Sequence, residues 1–270
     1  MKKKILIFGV SGMLGHNLFT NFCLQKKFEV FGTCRNYRKK KIFNNFEKKK
    51  IFFLQSIFES KKIEMLIKKT QPDIVINCIG VIKQSKKIQN LSEATYINSV
   101  FPHLLSSYAY LYKFKLIHFS TDCVFDGKKG NYLESQIPNA KDVYGISKAR
   151  GEPSIKNKQT LVLRTSFIGH EIIGKYSLLD WFINSNKKIY GFSKCYFNGL
   201  TNLEISKFLK KIIKKNLFFS GLFHLSGKKI KKNQLLKKIN LVYKLKKTIY
   251  PTSKYKINRI LNNSKIKNKY

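Results

Sequence analysis

Acidic residues and arginine are scarce in this 270-residue sequence, although basic residues are abundant. Lysine and arginine together number 54 and aspartate and glutamate only 14, so the formal net charge is +40. Only five of the basic residues are arginines, and the 49 lysines are spread through every segment. Proteins that read nucleic-acid bases favour arginine and concentrate their charge in one patch. We therefore expect no nucleic-acid partner and interpret the lysine excess as a composition bias.

Cysteine and histidine are also few, five of each, and neither is clustered. No Cys-x-x-Cys or His-x-x-x-His spacing occurs, so the sequence predicts no metal site. An odd number of scattered thiols is typical of a reducing compartment. The first apolar run, residues 5–10, is too short for a signal peptide or a membrane span. We expect a cytoplasmic protein with no membrane insertion.

What the sequence does contain is a regular alternation of two apolar patterns. Patterns typical of buried parallel strands occur at residues 4–9, 28–33, 51–54, 73–78, 115–120 and 160–165. Helical patterns lie between them, including residues 61–69, 92–112 and 143–155. Pro102 predicts a kink or a new helix start inside the second of these. The alternation predicts an α/β fold with a Rossmann-type, doubly wound parallel sheet.

The pattern weakens after residue 165. Helices are predicted at residues 178–185, 203–215 and 233–243, with a short extended piece at 222–225. We expect residues 1–165 to form the main domain and residues 166–270 to form a smaller α/β lobe that is not independent of it.

Three glycines separate the first predicted strand from the first helix, in the segment Gly9-Val10-Ser11-Gly12-Met13-Leu14-Gly15. Glycines in this context allow a tight turn, close approach of a pyrophosphate, and close packing of helix on strand. The amino terminus of the helix then faces the anion. We therefore predict a dinucleotide site whose contacts are Gly9, Ser11, Gly12, Met13, Leu14 and Gly15.

The end of the second strand bears on which dinucleotide is bound. Enzymes that use NAD place a carboxylate there to hold a ribose hydroxyl. Here the chain reads Gly32-Thr33-Cys34-Arg35-Asn36-Tyr37-Arg38, with no carboxylate. Because Arg35 and Arg38 can pair with a 2′-phosphate, NADP(H) is favoured over NAD(H). For Arg38 alone, a solvated loop charge is the preferred interpretation.

A candidate proton-transfer set lies further along the chain. Tyr144 and Lys148 are four residues apart and share one helical face. A nearby ammonium group is expected to lower the pKa of a tyrosine toward the working range of an acid or base. Thr121 follows a predicted strand, at the sheet edge where doubly wound folds bind ligands, and its hydroxyl can reach a substrate oxygen.

Together these motifs resemble the extended short-chain dehydrogenases/reductases, and within them the dTDP-4-dehydrorhamnose reductase-like family of sugar-nucleotide enzymes. The resemblance runs from Lys3 to at least Gly199 and is carried by the glycine segment and by segments 75–78, 97–102, 120–127, 144–152 and 163–166. It implies that Thr121, Tyr144 and Lys148 are catalytic.

The resemblance also implies cofactor and activity. Residues 77–80, among them Cys78, Ile79 and Gly80, would form the loop beneath the nicotinamide, and Asn98 would tie the active-site helix in place beside the cofactor. The first domain would bind NAD(P) and the second lobe the substrate. The implied activity is NADPH-dependent reduction of a 4-keto nucleotide sugar, for deoxysugar and surface polysaccharide biosynthesis.

Two departures from the family pattern concern the ligand pockets. Cys123 stands where a tyrosine is usual, and segment 54–57 lacks the aspartate that often holds adenine. Cys123 is a poor candidate for a nucleophile, because hydride transfer needs none. The candidate substrate contacts are Asp122, Cys123, Phe167, Trp181, Phe197 and Asn198, although Trp181 is equally well interpreted as a packing residue.

Other functions remain open at this stage. An epimerase of the same superfamily would keep the same catalytic trio. A dehydratase is disfavoured, because Cys123 replaces the glutamate that would follow Asp122. A non-catalytic NADP-binding regulatory subunit, such as that of methionine adenosyltransferase, shares the fold. We expect a nucleotide sugar as the small-molecule partner and also consider a homodimer.

Overall fold

The structure, a computed structural model, describes residues 1–36, 42–153, 157–172, 174, 176–186 and 188–269. Within these residues strands and helices alternate for most of the chain. The strands are β1 (Lys3–Phe8), β2 (Phe28–Cys34), β3 (Ile51–Phe53), β4 (Ile74–Asn77), β5 (Lys115–Thr121), β6 (Thr160–Thr165), β7 (Phe167–Ile168), β8 (Ile189–Phe197), β9 (Leu200–Thr201), β10 (Gly221–His224), β11 (Ile230–Lys231) and β12 (Ile249–Asn258).

The helices follow the same order. They are α1 (Met13–Cys23), α2 (Asn45–Lys48), α3 (Ser60–Thr70), α4 (Leu91–Thr95), α5 (Phe101–Leu111), α6 (Val143–Arg150), α7 (Leu178–Asn184), α8 (Asn202–Lys214), α9 (Lys232–Val242) and α10 (Ser264–Lys267). None of the described helices is long and apolar enough to cross a bilayer.

Seven parallel strands form the main sheet, in the order β10-β6-β5-β4-β1-β2-β3. The chain builds outward from β1 in one direction and then restarts at β4 on its other side. In doubly wound sheets this reversal leaves a crevice over the carboxyl ends of the two central strands. The predicted Rossmann-type fold is confirmed.

Both faces of this sheet are covered by helices, which explains the continuous apolar run of β1. Ile5 and Ile7 pack in one core together with buried residues of α1 and α8. Leu6 and Phe8 point the other way and pack with residues of α3 and α5. Because successive side chains of a strand face opposite sides, a strand covered on both faces must be apolar throughout.

The long helix predicted at residues 92–112 is interrupted just before Pro102. The chain forms α4, then a π-helical turn at Tyr96–Val100, then α5 with Pro102 in its first turn. Proline has no amide hydrogen to donate four residues back, to the carbonyl of Asn98. That carbonyl lies against Gly151, immediately after α6. The helix predicted at 143–155 is shorter than expected, since α6 ends at Arg150; residue 155 lies outside the described residues.

The expected boundary at residue 165 does not coincide with the edge of the main sheet. Strand β10 is the outer strand next to β6, and α8 packs beside α1 in the main core. Helix α10 also joins the main core through Ile266, and β7 pairs with β9 in a separate two-stranded sheet. A three-stranded sheet, β11-β8-β12, has α7 and α9 packed against it around Phe182 and Leu236. The C-terminal segment therefore contributes both to the main domain and to a smaller lobe.

Candidate active site

A cavity of about 860 Å³ lies over the carboxyl ends of the central strands. Its walls come from the glycine segment, the end of β2, residues 54–58 and 77–85, the end of β5, one side of α6, and part of the segment between β7 and α7. Of the residues selected from sequence, those that line it are Gly9, Ser11, Gly12, Met13, Leu14, Arg35, Cys78, Ile79, Gly80, Tyr144, Lys148 and Phe167.

The glycine segment has the geometry of an anion cradle. Gly9 has a positive φ of 85°, and its amide donates to the Thr33 hydroxyl at 3.2 Å, which ties the turn to β2. Helix α1 begins after Gly12 without a side-chain cap. Its amino terminus faces the cavity, since Gly12, Met13 and Leu14 line it. A Cβ at Gly15 would lie 2.3 Å from the Gly9 carbonyl oxygen, so Gly15 permits close packing and does not line the cavity. This cradle fits a dinucleotide pyrophosphate.

At the rim of the cavity, the residues that follow β2 carry no carboxylate. Arg35 and Asn36 are exposed there. Arg38 lies outside the described residues. Gln55, Ser56 and Phe58 line the neighbouring wall, in and just after the segment where the sequence lacks the adenine-binding aspartate. These residues were not predicted to line the site. The only indication in the sequence was their position after the third predicted strand.

The three candidate catalytic residues meet at the carboxyl end of β5. Tyr144 lies in the first turn of α6, which Asp142 caps by accepting from the Gly145 amide at 3.0 Å. Thr121 is the last residue of β5; its hydroxyl donates to Asp122 Oδ1 at 3.2 Å, accepts from the Cys123 amide at 3.1 Å and lies beside the Tyr144 phenol. One turn along α6, Lys148 Nζ donates to the carbonyl oxygen of Phe119 at 2.6 Å.

The charges in this group differ from the sequence-based expectation. Burial raises the pKa of Tyr144, the neighbouring Cys123 adds to this, and the nearby Thr121 hydroxyl opposes it. The expectation that Lys148 lowers the pKa of Tyr144 is wrong for this structure, because the effect of burial on the phenol dominates. The phenol is therefore protonated at neutral pH, as an unperturbed tyrosine is, and it is a weaker acid than an unperturbed tyrosine.

Asn98 lies behind the cavity wall and joins two of its elements. Its side-chain oxygen accepts from the Val81 amide at 2.9 Å, and its side-chain nitrogen donates to the Val81 carbonyl and to the Ser147 hydroxyl, both at 3.1 Å. The loop after β4 is thereby fixed to the helix that carries Tyr144. Asn77 supports the same loop, because its side-chain oxygen accepts from the Ile79 amide at 3.0 Å.

A buried ion pair between Arg164 and Glu152 lies just beyond the end of α6, the helix that carries Lys148. Arg164 donates to Glu152 through Nε and Nη2, both at 2.7 Å, and the Ser120 hydroxyl donates to the same carboxylate at 2.7 Å. Ser120 lines the cavity. Glu152 and Arg164 lie in two of the segments that carry the family resemblance. Nothing local in the sequence shows that they touch, so their part in the site was not predicted.

The candidate substrate contacts separate into two groups. Asp122 and Cys123 lie in a short 3₁₀ turn after β5, beside Tyr144. Burial, followed by the charge of Asp122, raises the pKa of the Cys123 thiol to about 12, which is unsuited to a nucleophile. Neither of these two residues is among the described residues that line the cavity; of the other four candidates, Phe167 lines it, and Trp181, Phe197 and Asn198 do not.

Those three candidates have other surroundings. Asn198 is buried and binds the backbone of Leu261 through both atoms of its amide. Trp181 is 43% exposed on α7, and Phe197 ends β8. The wall near α7 is formed instead by Glu171, Tyr176 and neighbouring residues, which the sequence analysis did not select. In the described part of the chain, no group of three or more metal-binding side chains comes together.

This arrangement can be compared with known proteins. A family model described as the RmlD substrate binding domain matches residues 2–260. The chain belongs to this family. The resemblance inferred from the sequence motifs is thereby confirmed.

Three curated relatives illustrate the family. A dTDP-4-dehydrorhamnose reductase from Aggregatibacter actinomycetemcomitans is 28% identical over 83% of this chain and 73% of its own length. A probable low-salt glycan biosynthesis reductase from Haloferax volcanii is 33% identical over 42% of this chain and 38% of its own length. Methionine adenosyltransferase 2 subunit beta from Bos taurus is 26% identical over 63% of this chain and 48% of its own length. The chain thus spans less than half the length of two of these relatives.

Solved structures share the fold over nearly the whole chain. A hypothetical dTDP-4-dehydrorhamnose reductase from Sulfolobus tokodaii has a TM-score of 0.78 at 23% identity, covering 99% of this chain and 94% of that one. A dTDP-4-dehydrorhamnose reductase from Bacillus anthracis in complex with NADP also has a TM-score of 0.78, at 20% identity, covering 99% and 91%. At these identities the likeness establishes the fold.

The contact between α6 and the π-helical turn gives a test of the site's packing. A Cβ at Gly151 would lie 1.7 Å from the carbonyl oxygen of Asn98, so Gly151→Ala must push these backbones apart. We expect a loss of about 1–3 kcal/mol in the free energy of unfolding, measured by urea denaturation. Gly227→Ala is the matched control, since its nearest neighbour is a leucine methyl group at 3.1 Å. Equal stability of the two variants would contradict the close approach.

Proposed function

We propose that this protein reduces the 4-keto group of a nucleotide sugar and uses NADPH as its preferred hydride donor. The observation that carries the proposal is the meeting of Thr121, Tyr144 and Lys148 at the edge of the cavity that also holds the glycine cradle. Sugar reduction needs a hydride on carbon and a proton on oxygen, and a bound nicotinamide cofactor would supply the hydride.

The chain's own residues have distinct parts in this reaction. Tyr144 donates the proton to the keto oxygen, because its phenol is protonated at neutral pH and lines the cavity. Thr121 lies beside that phenol, and its hydroxyl would bind the same keto oxygen. Lys148 lines the same cavity and is anchored to the Phe119 carbonyl, and its ammonium group would bind the nicotinamide ribose.

The names of the relatives support the substrate class. The Aggregatibacter protein is named for reduction of dTDP-4-dehydrorhamnose, and the Haloferax protein for a reductive step in glycan biosynthesis. We infer a nucleotide-linked keto sugar as substrate and deoxysugar or surface polysaccharide biosynthesis as the setting.

Substitution of the proton donor tests the reaction. Tyr144→Phe removes the phenolic proton and leaves the ring, so turnover should fall at least about 100-fold while NADPH binding persists. The measurement is NADPH oxidation with a panel of 4-keto nucleotide sugars, together with cofactor binding by fluorescence titration. Tyr110→Phe, on an exposed tyrosine of α5, is the control and should match the wild type. Full activity of Tyr144→Phe would contradict the assigned role.

The preference for NADPH rests on the end of β2. Arg35 is exposed at the rim and residues 33–36 contain no carboxylate, so the site can accept a 2′-phosphate without repulsion. The Bacillus anthracis structure in complex with NADP is consistent with this choice.

A substitution at this position tests the cofactor preference. Arg35→Ala should weaken NADPH binding about 10-fold, because it removes a charge-assisted hydrogen bond, and leave NADH binding unchanged. Dissociation constants for both cofactors measure the effect. Arg150→Ala removes the same charge from an exposed position outside the cavity and serves as the control. An equal loss of affinity for both cofactors would contradict recognition of the phosphate by Arg35.

A second candidate function is regulatory binding of NADP(H) without turnover. It is favoured by the relative named methionine adenosyltransferase 2 subunit beta. The intact Thr121, Tyr144 and Lys148 set argues against it. Tight NADPH binding with no oxidation across the whole panel of keto sugars would make this candidate the better one.

A further inference from the structure

One buried histidine next to the site has no part in the proposed reaction. His118 lies on β5, is fully buried, and pairs in the register of the sheet with Asn77 at the end of β4. Nδ1 of His118 is 3.2 Å from Nδ2 of Asn77, which is a hydrogen-bond distance. Nε2 of His118 is buried and has no hydrogen-bond partner among the described residues. The contact with Asn77 is therefore the one polar contact of this ring that the described residues supply.

The contacts of Asn77 decide which of its atoms faces His118. The backbone N–H of Ile79 can only donate, and it donates to Asn77 Oδ1 at 3.0 Å. The other end of the amide, the NH₂ group, must therefore face His118, and it too can only donate. Nδ1 of His118 has to accept, so a neutral imidazole carries its hydrogen on Nε2. The opposite tautomer, or the charged form, would set two donors against each other.

The surroundings of His118 agree with a neutral ring. Burial lowers its pKa well below the usual range of histidine, and the nearby Lys148 and His103 lower it further. A neutral imidazole has one nitrogen that donates and one that accepts. The contact with Asn77 decides which nitrogen accepts.

The loop that Asn77 holds forms part of the cavity wall. Residues 77–80 all line the cavity, and they also pack against the glycine cradle. A Cβ at Gly9 would lie 2.9 Å from Ile79 Cγ1 and 3.3 Å from the carbonyl carbon of Cys78. Because the contact is so close, a shift of this loop would disturb the cradle as well as the wall.

We propose that His118 is a positioning residue of the cofactor site: its unprotonated Nδ1 accepts from the Asn77 amide, which directs the amide oxygen onto the Ile79 N–H and fixes the loop after β4. His118 is not among the described residues that line the cavity, so its effect passes through Asn77. The consequence for cofactor binding rests on the proposed function. The tautomer and the order of the loop do not, because both are properties of the chain itself.

The first experiment determines the tautomer in the wild-type protein. In protein labelled with ¹⁵N-histidine, the chemical shift of each imidazole nitrogen shows whether it carries hydrogen. Single substitutions of the five histidines assign the signals, and His118 is assigned by elimination if its own variant does not fold. We expect hydrogen on Nε2 and none on Nδ1 at neutral pH. Hydrogen on Nδ1 would overturn the proposal, because Asn77 could then not donate to it.

The second experiment separates the accepting atom from the rest of the side chain. His118→Asn places Oδ1 as many bonds from the backbone as Nδ1 and can still accept, whereas His118→Leu has a methyl group there. Each variant leaves one buried amide nitrogen without an acceptor, so both should lose similar stability in urea denaturation. NADPH should bind to His118→Asn within about 3-fold of the wild type and to His118→Leu about 10-fold more weakly.

Equal NADPH affinity of these two variants would overturn the positioning role. The KM of the keto sugar should be the same in both, because the loop after β4 belongs to the cofactor side of the proposed site; an equal rise in both KM values of His118→Leu would indicate general loss of structure and overturn the proposal. If His118→Leu does not fold, His118→Gln replaces it, since its amide lies one bond further out and leaves a carbon atom beside Asn77.

Hydrogen exchange of the loop tests the same step without cofactor. The Ile79 amide should exchange about 10-fold faster in His118→Leu than in His118→Asn, because the oxygen that accepts from it is no longer oriented. Equal exchange in the two variants would overturn the proposal, whatever happens to NADPH binding. If the wild-type protein binds no NADPH, the proposed function fails, and the exchange of Ile79 still decides whether His118 holds the loop.

Discussion

The buried ion pair between Arg164 and Glu152 is the interaction on which the arrangement of this site depends. It joins the end of α6 to β5 and β6, and Arg164 reaches on to Nε2 of His224 on β10 at 3.3 Å. A pair so deeply buried is tolerated only when its hydrogen bonds are complete, which requires these elements to stay in register. The guanidinium supplies a planar fork for both carboxylate oxygens, which an ammonium group cannot do. One of the five arginines of this lysine-rich chain supplies that fork here.

Close backbone contacts complete the wall that the ion pair anchors. The loop after β4, the π-helical turn and α6 are held together by the amide of Asn98 and by the absence of a side chain at Gly151. Pro102, in the first turn of α5, cannot donate to the Asn98 carbonyl, which lies against Gly151 just after α6. Tyr144 and Lys148 are therefore carried by a helix whose two ends are both fixed, by Asp142 at the start and by Glu152 just beyond the end. Such a frame holds the Tyr144 phenol in one place relative to the cavity.

The sequence predicted the order of elements well, because the signals for strands and helices are local. The apolar run at residues 4–9 indicates a strand covered on both faces, and the glycine segment indicates the turn that follows it. Prediction was weaker where contacts join distant residues. Strand β10 pairs with β6 although it lies some sixty residues further along the chain. No local pattern in the sequence therefore shows that the main sheet continues beyond residue 165. Trp181, Phe197 and Asn198 were chosen for their chemistry alone, and Asn198 is engaged by the backbone of Leu261.

The sequence by itself determined the fold class, the family and the residues that meet at the edge of the sheet, because the periodicity and the motifs that encode them are local. Only the tertiary structure decided the charge of those residues. The pKa of a side chain depends on its burial and on the charges around it, and for Lys148 these come from β4, β5 and the end of α6. Tyr144 is accordingly a protonated phenol beside Thr121, and Lys148 is bonded to the backbone of Phe119, where spacing alone had suggested a direct pair between them.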